Sequence, residues 1–204
     1  MNTVQALEWG IYMAVQSKVK YRRLMEKAKE LFIQFGYKAV SMDQIAEAAG
    51  ISKATIYNYF PSKEELFMKV MRDIADEAYR DLDNHLNNTD GAIAKIDVLI
   101  NFSMEKLNQF SLAFYRDIMT NPYITSKIMA IKKQKAREIF ENIIKTGMEN
   151  GEIRDIDVEF LVTLLNIMID GILNNFSDIM NDKEQIRDFC EKFYDFLKYG
   201  LSNR

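Results

Sequence analysis

One cysteine (Cys190), one histidine (His85), two prolines and eight glycines in 204 residues leave little for building disulfides, metal sites or irregular loops. A single thiol excludes an intramolecular disulfide framework and fits a reducing cytosol. One His and one Cys also fall short of the ligand set of a structural zinc site, so neither metal nor cofactor is expected. Enzyme chemistry has little to stand on. There is no glycine-rich phosphate loop and no discernible nucleophile–base pair, and acids such as Asp155 and Asp157 sit where helix caps belong. The most apolar stretch, Phe160 to Leu173, is interrupted by Asn166 and Asp170 and falls short of the ~18 residues of a membrane span. The N-terminal MNTVQALEWGIYMAVQ has neither a basic n-region nor a contiguous apolar core, so it is a poor signal peptide. Residues 1–17 read as an N-terminal extension: an arm or partner-binding strip, a poorly ordered tail, or a start set ahead of Met13. A cytoplasmic protein with no membrane partner is expected.

Few glycines and prolines leave room for long, unbroken helices. Hydrophobic residues at 48% and charged residues at 28% are ordinary for a soluble globular chain. The length allows one large domain or two small ones. An all-α fold of about nine helices is expected.

The most informative segment is SMDQIAEAAGISKATIYNYF, Ser41 to Phe60. Met42, Ile45, Ala46 and Ala49 fall at i, i+3, i+4 and i+7, one apolar stripe of a short helix. Ser41 can cap that helix, with Gln44 as its reciprocal partner in a capping box. Gly50 supplies the left-handed conformation that ends a helix without a Cβ clash. Ser52 can cap a second helix whose Ile56 and Phe60 point one way while Lys53, Thr55, Tyr57, Asn58 and Tyr59 point elsewhere. The pattern predicts a helix-turn-helix.

The run GISKATIYNYFPSKEEL, Gly50 to Leu66, resembles the signature of the tetracycline-repressor (TetR) family of bacterial transcriptional regulators. With the helix ending at FGY (Phe35 to Tyr37) and the one starting at Ser62, the resemblance covers roughly Lys18 to Ile74. Beyond that it extends only to length and helical layout. It implies an N-terminal three-helix DNA-binding domain and a C-terminal helical domain for effector binding and dimerisation. The expected division is an extension over 1–17, a helix-turn-helix domain over 18–62 and a body over 63–204, linked by a helix at about 62–86.

Net charge is −3, an odd value for a DNA binder until it is divided. Between Ser17 and Lys63 lie nine cations (Lys18, Lys20, Arg22, Arg23, Lys27, Lys29, Lys38, Lys53, Lys63) and four acids (Glu26, Glu30, Asp43, Glu47). That window carries +5 and leaves −8 for the remainder. One basic face for phosphates and an acidic body facing away fit this asymmetry.

The first helix is expected over about Lys18 to Phe35, burying Leu24, Ala28, Leu31, Phe32 and Phe35, with Gly36 to stop it. After Pro61, Ser62 and Glu65 form a second capping box. The turn formers NNTDG (87–91) break the chain. Further helices are expected over about Ala92 to Gln109, from Leu112 to just before Asn121, from Tyr123 to Glu149, from Val158 to Met180 and from Lys183 to Tyr199. Asp155 or Asp157 can cap the helix that starts at Val158.

For the DNA end, Lys53 suits a phosphate or a guanine edge, and Asn58 an adenine. Ala54 allows close approach, and Thr55 is a hydrogen-bond candidate. Tyr57 and Tyr59 resemble the family's phosphate-contacting tyrosines. Ser41 and Lys63, at helix starts, can add phosphate contacts. For the body, Met104, Phe110, Phe114, Tyr115, Met119 and Phe140 form a Met- and aromatic-rich set suited to an apolar ligand, with Asn166 and Asp170 to orient it. The same stripes also read as plain core, and Arg116 and Asp117 as ligand or core partners. The helix at 158–180 is apolar on nearly every side and must be covered twice. Its simplest second cover is another copy, a homodimer through the last two helices, as the resemblance also implies. Candidate interface residues are Phe160, Leu164, Ile172, Phe176, Phe189 and Phe193. Such a dimer would read a palindromic operator in double-stranded DNA. The expected function is a homodimeric repressor released by a small apolar or amphipathic effector. An alternative is a DNA-bound adaptor whose body binds a protein partner.

Overall fold

The computed structural model describes residues 3–174 and 183–201. Among them are nine helices: α1 (Thr3–Ala39), α2 (Met42–Ala49), α3 (Lys53–Tyr59), α4 (Lys63–Asn87), α5 (Ala92–Gln109), α6 (Leu112–Met119), α7 (Pro122–Glu149), α8 (Val158–Asn174) and α9 (Lys183–Leu201). The fold is all-α, with a helix-turn-helix at the N-terminal end and a helical body behind it.

Helix starts follow from local chemistry. Ser41 Oγ accepts from the Gln44 N–H at 3.2 Å while the Ser41 N–H donates to Gln44 Oε1 at 2.8 Å, a complete capping box. Ser52, Ser62, Ser111 and Asn121 cap α3, α4, α6 and α7 with the side-chain half of that arrangement alone, each accepting from the backbone N–H three residues on. At α4 the bond runs from the Glu65 N–H to Ser62, without the reciprocal Glu65 bond of the expected second capping box. At α8 the cap is Asp157, whose Oδ1 accepts from the Phe160 N–H at 3.0 Å. Each such cap satisfies one backbone donor that the helix itself cannot. Gly50 ends α2 at φ 63°, ψ 40°, the left-handed conformation.

Two differences from the sequence reading stand out. The first helix begins at Thr3, well ahead of Lys18, and is broken at Gly36 (φ 83°, ψ 177°) before a last turn to Ala39. Nothing in residues 3–17 forbids helix, since Gly10 alone only weakens one. The break at Gly36 turns Phe35 out to 47% exposure, away from the core stripe it was expected to join.

Two apolar cores hold the chain together. The first gathers Leu24, Ala28 and Phe32 of α1, Ile45 of α2, Ile56 of α3, and Leu66, Phe67 and Val70 of α4. It also takes Phe114 and Ile118 of α6 and Ile124 and Ile128 of α7. The second gathers Leu82 and Leu86 of α4, Ile96 of α5, Ile143 and Ile144 of α7, Ile153 and Leu161. The helices α4 and α7 therefore run through both, each with one end under the head and the other in the body. At about 1.5 Å rise per residue, their 25 and 28 residues are long enough to act as struts. Gly147 lets α7 approach the start of α5: a Cβ there would lie 2.5 Å from Ala92 Cβ and 2.6 Å from Ile153 Cδ1.

Candidate nucleic-acid interface

The face that α3 turns to solvent is made by Lys53, Ala54, Tyr57 and Asn58, all exposed, while Ile56 is fully buried beneath them. Side chains at the 3.6-residue period divide the helix into a packed side and a presented side. Around it lie exposed Lys18, Lys20, Arg22 and Arg23 of α1 and the exposed cap residues Ser41 and Ser52. Helix N-termini beside ammonium and guanidinium groups carry the charge that favours phosphate.

Several expected contacts have intramolecular work as well. Lys53 Nζ donates to Asp43 Oδ2 of α2 at 2.8 Å. That hydrogen bond is the first cause that raises the ammonium's pKa. Thr55 is half-buried, its Oγ1 2.8 Å from Ser52 Oγ. Tyr59 leans back on α1: its hydroxyl lies 2.7 Å from Ser17 Oγ and donates to the Ser17 carbonyl at 3.1 Å, with its ring edge-on to Tyr21 at 5.3 Å. Tyr57 is 45% exposed and projects from the same helix.

Lys63 is the most committed. Its ammonium donates to the carbonyls of Tyr37 and Val40, both at 2.9 Å, and sits 4.4 Å above the Tyr37 ring. Desolvation lowers its pKa, partly offset by the charge of Asp117. Two of its three N–H donors are used on these carbonyls. The Tyr37 hydroxyl is pushed up, first by burial and then by Glu64.

The body grips the last turn of α1 as well. Asp117 of α6, 9% exposed, accepts from the Lys38 N–H at 2.7 Å, and Lys38 Nζ reaches Thr120 Oγ1 at 3.0 Å. The acid that the sequence left open between ligand and core partner is a fastener between body and head. Sequence reasoning named neither this bond nor the Asp43–Lys53 pair. The only signal for the latter is an acid in the first turn of α2 next to a cation in the first turn of α3.

The expected effector residues divide. Phe110, Phe114 and Tyr115 lie together, with ring centroids 4.6 and 5.9 Å apart. Phe110, Phe114 and Met119 belong to the core under the head, whereas Phe140 belongs to the second core. The side chains of Met104, Asn166 and Asp170 lie outside the described residues. Of the expected interface, Phe160 and Leu164 of α8 are exposed, and Phe189 and Phe193 of α9 are half-buried and stacked at 6.3 Å. The side chain of Ile172, and Phe176 altogether, lie outside the described residues. Ile167 of α8 is exposed as well, as are Phe196 and Tyr199 of α9. Among the described residues no helix is long and apolar enough to cross a membrane, and no group of His, Cys, Asp and Glu is placed to hold a metal ion.

Comparison with known proteins agrees with this geometry. The model of the tetR family of bacterial regulatory proteins matches residues 24–70, and that of the QacR-like C-terminal region matches residues 86–203. The HTH-type transcriptional activator FasR of Mycolicibacterium smegmatis is 28% identical over 168 residues, spanning 78% of this chain and 75% of that one. The HTH-type transcriptional regulator YhgD of Bacillus subtilis is 31% identical over 147 residues, 67% of this chain and 73% of its own length. Among solved structures, the transcriptional regulator FadR of Bacillus subtilis in complex with stearoyl-CoA shares the fold, with a TM-score of 0.64 at 19% identity over 89% of this chain and 99% of that chain. A head that offers α3 to solvent, a body matched along almost its whole length and relatives that regulate transcription lead to one assignment: this chain belongs to the tetR family of bacterial regulatory proteins and is a DNA-binding transcriptional regulator.

Proposed function

We propose that the protein is a homodimeric repressor that holds a palindromic operator through two copies of α3 and releases it when an amphipathic ligand with a long apolar chain enters the body. The observation that carries the dimer is the unpartnered apolar face of α8. Phe160, Leu164 and Ile167 are exposed at i, i+4 and i+7, and Phe196 and Tyr199 are exposed on α9. Fully burying each large apolar side chain is worth about 1.5–3 kcal/mol, and a two-fold related copy presents a matching face. Two heads so joined read half-sites about one DNA turn (~34 Å) or a multiple apart.

The ligand class is supported by the FadR structure, which shares this fold and holds stearoyl-CoA. It is supported too by the apolar, Met- and aromatic-rich composition of α5 to α7. Proposed DNA contacts are Ser41, Lys53, Ala54, Thr55, Tyr57, Asn58 and Tyr59, with Lys63 contributing its one remaining donor. Release requires only that the ligand favour the body conformation whose heads no longer fit the groove, by a coupling of about 5–150-fold.

Selection of bound duplexes from a random-sequence pool tests the first half, with sedimentation of the free protein. An enriched inverted repeat and a dimer at micromolar concentration are expected. Long-chain acyl-CoA titrated into the operator complex tests the second half and is expected to dissociate it. A monomer, a motif without symmetry, or a complex indifferent to acyl chains of every length would sink the corresponding part.

A further inference from the structure

We propose that Asp43 is a specificity-determining residue, which holds the Lys53 ammonium in place for a base edge and keeps it from neighbouring phosphates. The proposal rests on α3 being the helix that enters the groove.

Lys53 is the first residue of α3, where an ammonium faces the positive end of the helix dipole. The first turn of α3 contains no acid to offset it. The offsetting charge comes from the neighbouring helix: Asp43 stands in the first turn of α2, and its Oδ2 accepts from Lys53 Nζ at 2.8 Å. Both side chains are exposed, 46% for the lysine and 72% for the aspartate. Exposed pairs of this kind add little to folding.

Its effect on DNA is larger, because Asp43 lies in the turn that Ser41 caps and its carboxylate is bonded to the residue that follows the cap Ser52. Any phosphate that approaches either helix start meets a second negative charge. A lysine otherwise swings a strongly hydrated point charge on a flexible stem and takes whichever phosphate is nearest. Here one of its three donors is fixed on Asp43, and the other two keep a set direction. A guanine O6/N7 edge can accept them without adding a full charge beside the carboxylate. Asp43 thus lowers affinity for duplexes at large and lowers it less for sequences that offer an acceptor at Lys53. Discrimination by penalising the wrong partner needs no extra contact with the right one.

The experiment compares full-length wild type, Asp43→Asn, Lys53→Gln and the double variant on the selected operator and a scrambled duplex, from about 50 to about 200 mM salt. Asp43→Asn is expected to bind the scrambled duplex about three- to tenfold tighter and to steepen the salt slope by about one ion. Its operator-to-scrambled ratio is expected to narrow by about threefold or more. In the Lys53→Gln background, Asp43→Asn is expected to leave that ratio unchanged. Asp43→Ser, which keeps a short polar side chain in the first turn of α2, carries the same expectation should the asparagine variant fold poorly. An unchanged ratio in a selective protein overturns the proposal alone. An equal narrowing without Lys53 overturns it too, since Asp43 would then act as diffuse repulsion. A wild type that selects no sequence removes the recognition-helix reading and the proposal with it.

Discussion

The carboxylate of Asp117 accepts a hydrogen bond from the backbone N–H of Lys38 at 2.7 Å, across 79 residues of sequence. The bond ties α6 in the body to the last turn of α1, just ahead of the helix-turn-helix, and Lys63 of α4 holds the carbonyls of Tyr37 in that turn and of Val40 after it. Body and head are therefore joined by polar bonds as well as by the shared core around Phe67 and Phe114. Removing the acceptor strands a part-buried donor, which costs about 1–3 kcal/mol. Asp117→Ala is expected to lower the unfolding free energy by that amount, read as a lower urea midpoint at unchanged slope. Asp117→Asn, which keeps an acceptor but loses the charge assistance, is expected to lose less.

Gly36 answers to the same carboxylate. Its φ of 83° with ψ of 177° is a conformation left almost entirely to glycine. A Cβ there would stand 2.7 Å from Asp117 Oδ2 and 3.1 Å from the Ala113 backbone. Gly36→Ala combines backbone strain with a clash, and a loss of about 2–4 kcal/mol is expected from the two. Calorimetry should show a lower melting temperature than for Gly151→Ala, a site that also has positive φ but meets nothing within 4 Å.

On α3 the exposed and the packed side chains should respond differently. Tyr57→Phe is expected to weaken binding to every duplex, because an exposed hydroxyl that reaches phosphate carries no sequence information. Asn58→Ala is expected to change the preferred base at one position, at a cost of about 1–3 kcal/mol on the best site. Tyr59→Phe removes a hydroxyl already bound to Ser17, so its loss should appear in thermal stability as well as in DNA affinity. Equal losses on all sequences from Tyr57→Phe and Asn58→Ala would erase the division between positioning and reading.

What the sequence made legible is what neighbours in sequence decide. Ser41 with Gln44, Gly50, Ser52 and Asp157 set helix ends by bonds spanning a few residues, and those ends fall where expected. The apolar stripe of α2, and that of α1 up to Phe32, likewise name their own core, because a period of 3.6 selects one face. Contacts set by tertiary packing were not legible. Phe114 fits a core or a ligand lining until α6 is seen to dock on α1, with its ring 6.2 Å from Phe67. Lys63 reads as a surface cation until α4 swings its ammonium over the Tyr37 ring. The start of α1 escaped for another reason: a polar-apolar tail without Pro carries no stop signal, so local rules alone do not choose between coil and helix.

The apolar face of α8 gives the most decisive test. Ile167 is 64% exposed and Phe160 59%, while Leu161 of the same helix is 4% exposed in the second core. The two outward residues can therefore be altered without disturbing the fold of one chain. In a dimer they become buried, and a carboxylate brought there unpaired costs several kcal/mol on each side of the two-fold axis. Phe160→Glu with Ile167→Glu is expected to give a folded monomer with unchanged helical content by circular dichroism. Its operator affinity should fall by about 10²–10⁴-fold, since the second head no longer benefits from tethering to the first. Binding to a single half-site duplex should stay near the wild-type value. A double variant that remains dimeric would show that the two copies meet elsewhere, and one that loses half-site binding as well would show that α8 supports the head through its own chain.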